Sequence, residues 1–139
     1  MYAHQTTLRV RYADTDRMDQ VYYGRYAEFF EMGRVEAMRN LGISYRELEE
    51  MGVLLPVIEW RVRYLLPLTY DELLRIETII PEMPTARIRF LYRILNSEGR
   101  LAADGETTLV FVRANDRRVI RSPHRLREAL APYFKGGDQ

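Results

Sequence analysis

Apolar and polar residues alternate along four stretches of this chain, a fifth ends in a continuous apolar run, and in two others the apolar residues recur every three or four positions. Leu8, Val10 and Tyr12 alternate with Thr7, Arg9 and Arg11, the signature of a strand with one dry face and one wet face. The period then changes. Tyr26, Phe29, Phe30, Gly33, Ala37, Met38 and Leu41 recur at helical spacing while Arg25, Glu28, Glu31, Glu36 and Arg39 fill much of the remainder. This predicts one long amphipathic helix from Gly24 to Leu41, capped at Gly42. Ser44 and Glu47 resemble a capping box that opens a short second helix ending near Gly52.

Four more strands follow. Ile58, Trp60, Val62 and Tyr64 alternate with Glu59, Arg61 and Arg63 until Pro67 stops the run. Leu74, Ile76, Thr78 and Ile80 form the next, and Pro81-Glu82-Met83-Pro84 turns the chain into Ile88, Phe90, Tyr92 and Ile94. Asn96-Ser97-Glu98-Gly99 turns it again, into a last strand from about Ala102 to Arg113 whose Leu109-Val110-Phe111-Val112 run implies cover on both faces. Ser122 and Pro123 read as the N-cap and first residue of a terminal helix with Leu126, Ala129, Leu130 and Tyr133 inward. The order implies an α+β layer structure: a meander-rich antiparallel sheet with a helix against its dry face. A helix of that length reaches roughly 27 Å at ~1.5 Å per residue, about the width of five or six strands. Residues 1–139 read as one domain, and the continuous apolar strand faces suggest a partner subunit.

Composition narrows the chemistry. The chain has 47% hydrophobic and 29% charged residues and a net charge of +1, a soluble globule with no global field to gather nucleic acid or anionic membrane. Any anion site is therefore local. Cysteine is absent, which removes disulfides, thiolate nucleophiles and Cys-bound metals and is consistent with the cytoplasm. His4 and His124 are the only histidines, too few for multi-histidine metal sites, and no Gly-rich phosphate loop or Gly-x-Ser-x-Gly elbow is present. Neither a signal peptide nor a membrane span is read from the sequence.

The loop from Tyr12 to Gly24 is the most unusual segment, holding Asp14, Asp16 and Asp19 and the adjacent Tyr22 and Tyr23. Carboxylates before a helix serve as caps and loop solvators. They also serve as nucleophile or general base where the helix start offers N–H donors to a developing oxyanion. Asp14-Thr15-Asp16, Val21-Tyr22-Tyr23 with Tyr26, and Phe29-Phe30-Glu31 with Arg34, Glu36, Arg39 and Leu41-Gly42 resemble the hotdog-fold acyl-CoA thioesterases of the 4-hydroxybenzoyl-CoA thioesterase type. The likeness continues through Tyr64, Pro67, Asp71-Glu72-Leu73 and Ile76-Glu77-Thr78, and more loosely across Arg87–Ile94 and Gly105–Arg113.

The resemblance implies a hotdog fold and hydrolysis of an acyl-CoA thioester to a carboxylic acid and free CoA, without metal or redox cofactor. Within its motif the catalytic carboxylate falls on Asp16 and the backbone N–H that holds the thioester oxygen falls on Tyr23. Asp16 then attacks the thioester to give a mixed anhydride or activates water. The resemblance also implies a homodimer or homotetramer with the site between subunits, in which Val57 and Ile58 line a neighbour's acyl pocket. One residue departs from the motif: Asp19 stands where the family usually has glycine, adding a third carboxylate to the loop. Aspartate tolerates the left-handed backbone such a turn demands.

Other polar residues carry structural or binding readings. Asp14 closes an Asx turn as a structural residue, and Arg34 either pairs with Glu31 at the surface or is buried beneath the loop as a carboxylate partner. Arg87 lies on a wet strand face or binds a CoA phosphate, and Arg113, Arg117, Arg118 and Arg121 decorate a solvated hairpin tip. Two alternatives to a CoA thioesterase remain: an acyl-carrier-protein thioesterase, and a non-catalytic acyl-CoA-binding or envelope interaction module.

Overall fold

A computed structural model describes residues 1–134, and its largest element is a five-stranded antiparallel sheet in the order β1-β4-β5-β6-β3. The strands are β1 Tyr2–Arg9, β3 Val57–Tyr64, β4 Leu73–Ile80, β5 Arg87–Leu95 and β6 Leu101–Val110, and the short β2 Val53–Leu54 and β7 Val112–Arg113 form a separate ribbon. The helices are α1 Tyr26–Asn40, α2 Tyr45–Glu50 and α3 His124–Leu130.

Alternation places Leu74, Ile76, Thr78 and Ile80 of β4 and Ile88, Phe90, Tyr92 and Ile94 of β5 on one buried face. Register aligns that face across the sheet, with Thr78 opposite Tyr92, Tyr92 opposite Gly105, and Gly105 opposite Val62. Against it α1 lays Tyr26, Phe29, Phe30, Gly33, Ala37 and Met38. Two glycines let the layers touch. A Cβ on Gly33 would meet Thr78 Oγ1 at 2.6 Å, and one on Gly105 would meet the Phe30 ring at 2.5 Å. The Phe30 ring, laid over Gly105, stacks on Tyr92 with centroids 4.3 Å apart. The opposite face is polar, laced by Arg61–Glu106 at 2.9 Å, Arg63–Asp104 at 2.6 Å and Arg93–Glu77 at 2.9 Å.

The elements depart from the sequence pattern at several places. The long helix is shorter than expected: Tyr23–Arg25 is a 3₁₀ turn, and α1 proper begins at Tyr26 and ends at Asn40. The first strand lies earlier, at Tyr2–Arg9, because its inward positions include the polar His4 and Thr6, which mask the alternation. Tyr12 is not inward but 78% exposed at the start of a 3₁₀ turn, Tyr12–Asp14. The last strand breaks at Phe111, whose N–H turns to Ala86 O at 3.0 Å. Ser122 does not cap α3: its hydroxyl donates to Pro84 O at 3.1 Å, and Pro123 stands at the N-cap. Only β4, β5 and β6 form a meander, while β3 and β1 sit on the sheet's two edges.

Candidate active site

The loop between β1 and α1 folds back on itself as a small hairpin. Asp16 N–H donates to Gln20 O at 2.9 Å, Thr15 bridges Val21, and Asp19 at the tip adopts φ 60°. Aspartate is among the few side chains that tolerate this left-handed region, so the glycine usual at that position is dispensable for the turn. Asp19 is exposed and does not line the cavity described below. The hairpin is sewn to the rest of the molecule through Val21 N–H to Leu68 O at 2.7 Å and through Gln20 paired with Thr69.

Asp14 anchors the loop from beneath. Its carboxylate is 1% exposed and accepts the Arg11 N–H at 2.8 Å and Arg11 Nη2 at 2.9 Å, with Arg25 Nε at 3.8 Å. Burial pushes the Asp14 carboxyl upward, but the hydrogen bonds from Arg11 and the charges of Arg11 and Arg25 outweigh it and hold the group below its ordinary value. The side chain thus reaches back to Arg11, not forward into an Asx turn, while its own carbonyl accepts the Tyr22 N–H at 2.9 Å.

Asp16 is half-buried, and its Oδ1 accepts one backbone N–H, from Met18 at 2.8 Å. With Gln20, Tyr23, Tyr26, Tyr64 and Pro67 it lines a cavity of about 260 Å³ between the hairpin, the start of α1 and the end of β3. At the 3₁₀ turn the N–H groups of Tyr23 and Gly24 find no acceptor among the described residues, as the first donors of a helical segment must. The Tyr22 ring folds over Gly24, where any Cβ would lie 2.5 Å from a ring carbon. The Tyr64 hydroxyl donates to Tyr23 O at 3.2 Å, and its ring meets Tyr26 edge-on at 4.8 Å. Burial raises the Tyr26 phenol to about 12, helped by Tyr64 and Glu72, and burial also raises Tyr64. Both phenols are therefore neutral donors at ordinary pH.

Asp16 and Tyr23, read from sequence as partners, thus share one cavity. Val57 lines a different one, with Arg34 and Trp60, while Ile58 is 49% exposed on the β3 edge. Arg87 is exposed at the start of β5, opposite Val110, and lines neither cavity. Arg34 is buried but pairs with no carboxylate among the described residues; its Nη1 reaches the Tyr92 hydroxyl at 3.5 Å. Among the described residues no cluster of His, Asp or Glu could hold a metal ion. Gln20, Gly24 and Tyr64 are additions that only the fold reveals. Nothing in the chain's pattern points Tyr64 of β3 at the helix entry.

A family model, the thioesterase-like superfamily, matches residues 10–130. The chain is 35% identical to acyl-CoA thioesterase YbgC of Haemophilus influenzae over 91 residues, covering 65% of this chain and 67% of that one. It is 30% identical over 133 residues to the chloroplastic acyl-acyl carrier protein thioesterase ATL2 of Arabidopsis thaliana, covering 94% and 69%. The solved structure of a DHNA-CoA thioesterase from Staphylococcus aureus superposes with a TM-score of 0.92 at 29% identity, covering 100% of this chain and 97% of that one. With that match in sequence and in fold, the chain belongs to the thioesterase-like superfamily and is a hotdog-fold thioester hydrolase.

Proposed function

We propose that this protein hydrolyses an acyl-CoA thioester through Asp16, with the Tyr23 and Gly24 N–H groups as oxyanion donors. The observation that carries the proposal is the shared cavity: a carboxylate with only one backbone partner faces the same space as the helix start with free donors. In one route an Asp16 oxygen attacks the thioester carbon, the C–S bond breaks, and the thiolate leaves with the electron pair and takes up a proton. Water then cleaves the mixed anhydride to acid and carboxylate. In the other, Asp16 takes a proton from water as that water attacks. Both build negative charge on the thioester oxygen, which backbone donors at a helix start stabilise.

Likeness to an acyl-CoA thioesterase supports CoA as carrier, and likeness to ATL2 keeps acyl carrier protein as the second choice. Residues 1–139 act as one catalytic domain, assembled as a homodimer or homotetramer. Its contact is the β3 edge, where Val57, Ile58, Trp60 and Tyr64 are 44%, 49%, 45% and 46% exposed. Across that contact Val57 and Ile58 meet the neighbour's acyl group, and Arg87 faces a CoA phosphate.

The test is release of free CoA thiol from benzoyl, short-chain and long-chain acyl-CoA thioesters, read cleanly because the protein has no cysteine. Asp16→Asn should lower turnover at least ~100-fold, the scale of losing one catalytic group. Unchanged turnover would remove Asp16 from the mechanism. Heavy-oxygen label found in Asp16 after many turnovers in labelled water would select the anhydride route.

A further inference from the structure

Arg34 is the one charged side chain on the buried stripe of α1, and it is 7% exposed. Its Nη1 is at the limit of a hydrogen bond to the Tyr92 hydroxyl, 3.5 Å away, and that hydroxyl is engaged by Thr107 Oγ1 at 2.6 Å. Arg34 Nε has no partner, and no carboxylate among the described residues lies within ion-pairing reach. Burial pushes the nearby Tyr45 phenol up to about 12, so it supplies no counter-charge. A buried guanidinium with no anion beside it is a costly arrangement that a ligand oxygen at its open side relieves.

The guanidinium has somewhere to receive one. Arg34 lines a second cavity of about 260 Å³, with Ala27 and Glu31 of α1 on one side and Val57, Trp60 and Thr107 on the other. This cavity and the one at Asp16 share no lining residue, but both are walled by α1 and β3. Tyr64 lines the first cavity and Trp60 the second, four residues apart on the same face of β3, or ~13 Å at ~3.3 Å per residue. Along α1 the same step runs from Tyr26 to Arg34, ~12 Å at ~1.5 Å per residue. The two cavities thus follow one another along the same helix and strand, at a spacing that an acyl chain of about ten carbons spans, with Asp16 at one end and Arg34 at the other.

We infer that Arg34 is a specificity-determining residue, receiving an oxygen acceptor at the far end of the acyl group, and that the preferred substrates are acyl thioesters oxygenated at that end. The inference rests on Asp16 marking the thioester end. A carboxylate and a hydroxyl both accept from Arg34; the hydroxyl alone can also donate to Glu31 at the mouth. Plain hydrocarbon ends leave the donor unpaired, and sites built for a polar group discriminate against analogues that lack it.

The test compares decanoyl-CoA with its ω-hydroxy and ω-carboxy counterparts. The wild type should favour at least one oxygenated thioester over decanoyl-CoA by roughly tenfold or more in kcat/KM, the scale of one hydrogen bond to a charged group. Arg34→Met should bring the ratio near one, and Arg34→Lys should restore part of it. The favoured arm tells whether the bound oxygen is anionic or a neutral hydroxyl shared with Glu31. A wild-type ratio at or below one overturns the inference even if the variants fail to fold, and so does a preference that survives in Arg34→Met. Turnover of all three thioesters at equal rates removes the subsite alone, whereas turnover of none removes the thioesterase assignment of Asp16 together with it.

Discussion

Asp14 carries more of the site's order than Asp16 does. Because Arg11 and Arg25 hold its carboxyl below the ordinary value, its charge contributes stability that is fully present above the unfolded-state value of about 3.9. That contribution drains away as pH falls through the lower folded value. Asp14→Asn should therefore lower the melting temperature at neutral pH, by ~1–3 kcal/mol of stability, and the gap to wild type should close in strong acid; thermal melts across pH check this. Asp19 makes a contrasting case. Its φ of 60° is compatible with Asp or Gly, so Asp19→Gly should be near neutral while Asp19→Val should cost ~1–2 kcal/mol in denaturant titrations. The spacing of Asp14, Asp16 and Asp19 was legible in the sequence, because a carboxylate-rich loop before a helix is a local pattern. Arg34 was legible only in part: an arginine three residues after Glu31 reads either as a surface ion pair or as a buried carboxylate partner, and the fold buries it without a carboxylate among the described residues.

At the level of elements, α1 is positioned by what its residues lack as much as by what they bury. Gly33 sits against Thr78 and Ile76, with a Cβ reaching 2.6 Å and 2.8 Å from them. Gly33→Ala should therefore cost ~1–3 kcal/mol despite the better helix propensity of alanine, since the layers must separate to admit the methyl group; chemical denaturation measures it. The helix was legible by its period, but its first turn was not. Tyr23, Gly24 and Arg25 continue the helical spacing, yet the Tyr22 ring over Gly24 and the Tyr64 bond to Tyr23 O accompany a tighter 3₁₀ entry. Strand existence was likewise plain in β3, β4 and β5, where every inward residue except Thr78 is apolar or aromatic. Strand order was not, because alternation reports which face a residue takes and is silent about which strand lies alongside. β1 was half-hidden by His4 and Thr6 on its inward side.

For the whole molecule, the sheet has a polar outer face and an apolar, unpaired edge at β3. If that edge is the subunit contact, Ile58→Lys should dissociate the assembly at micromolar concentration, where light scattering would otherwise report a mass above that of one 16.5 kDa chain. The strand order has a kinetic corollary as well. β4, β5 and β6 close by short turns, whereas β1 pairs only with β4, so Tyr2 must find Ile80 across most of the chain. Loop closure makes such distant pairing late, so the meander should form the folding nucleus and β1 dock afterwards. The hairpin that carries Asp16 inherits that delay, because Val21 is tied to Leu68 and Val10 to Glu72. During synthesis, then, a nascent chain that has exposed Asp16 holds no formed pocket around it until the segment beyond β3 has left the ribosome, and the proposed site emerges with closure of the sheet, long after Asp16 itself has been made.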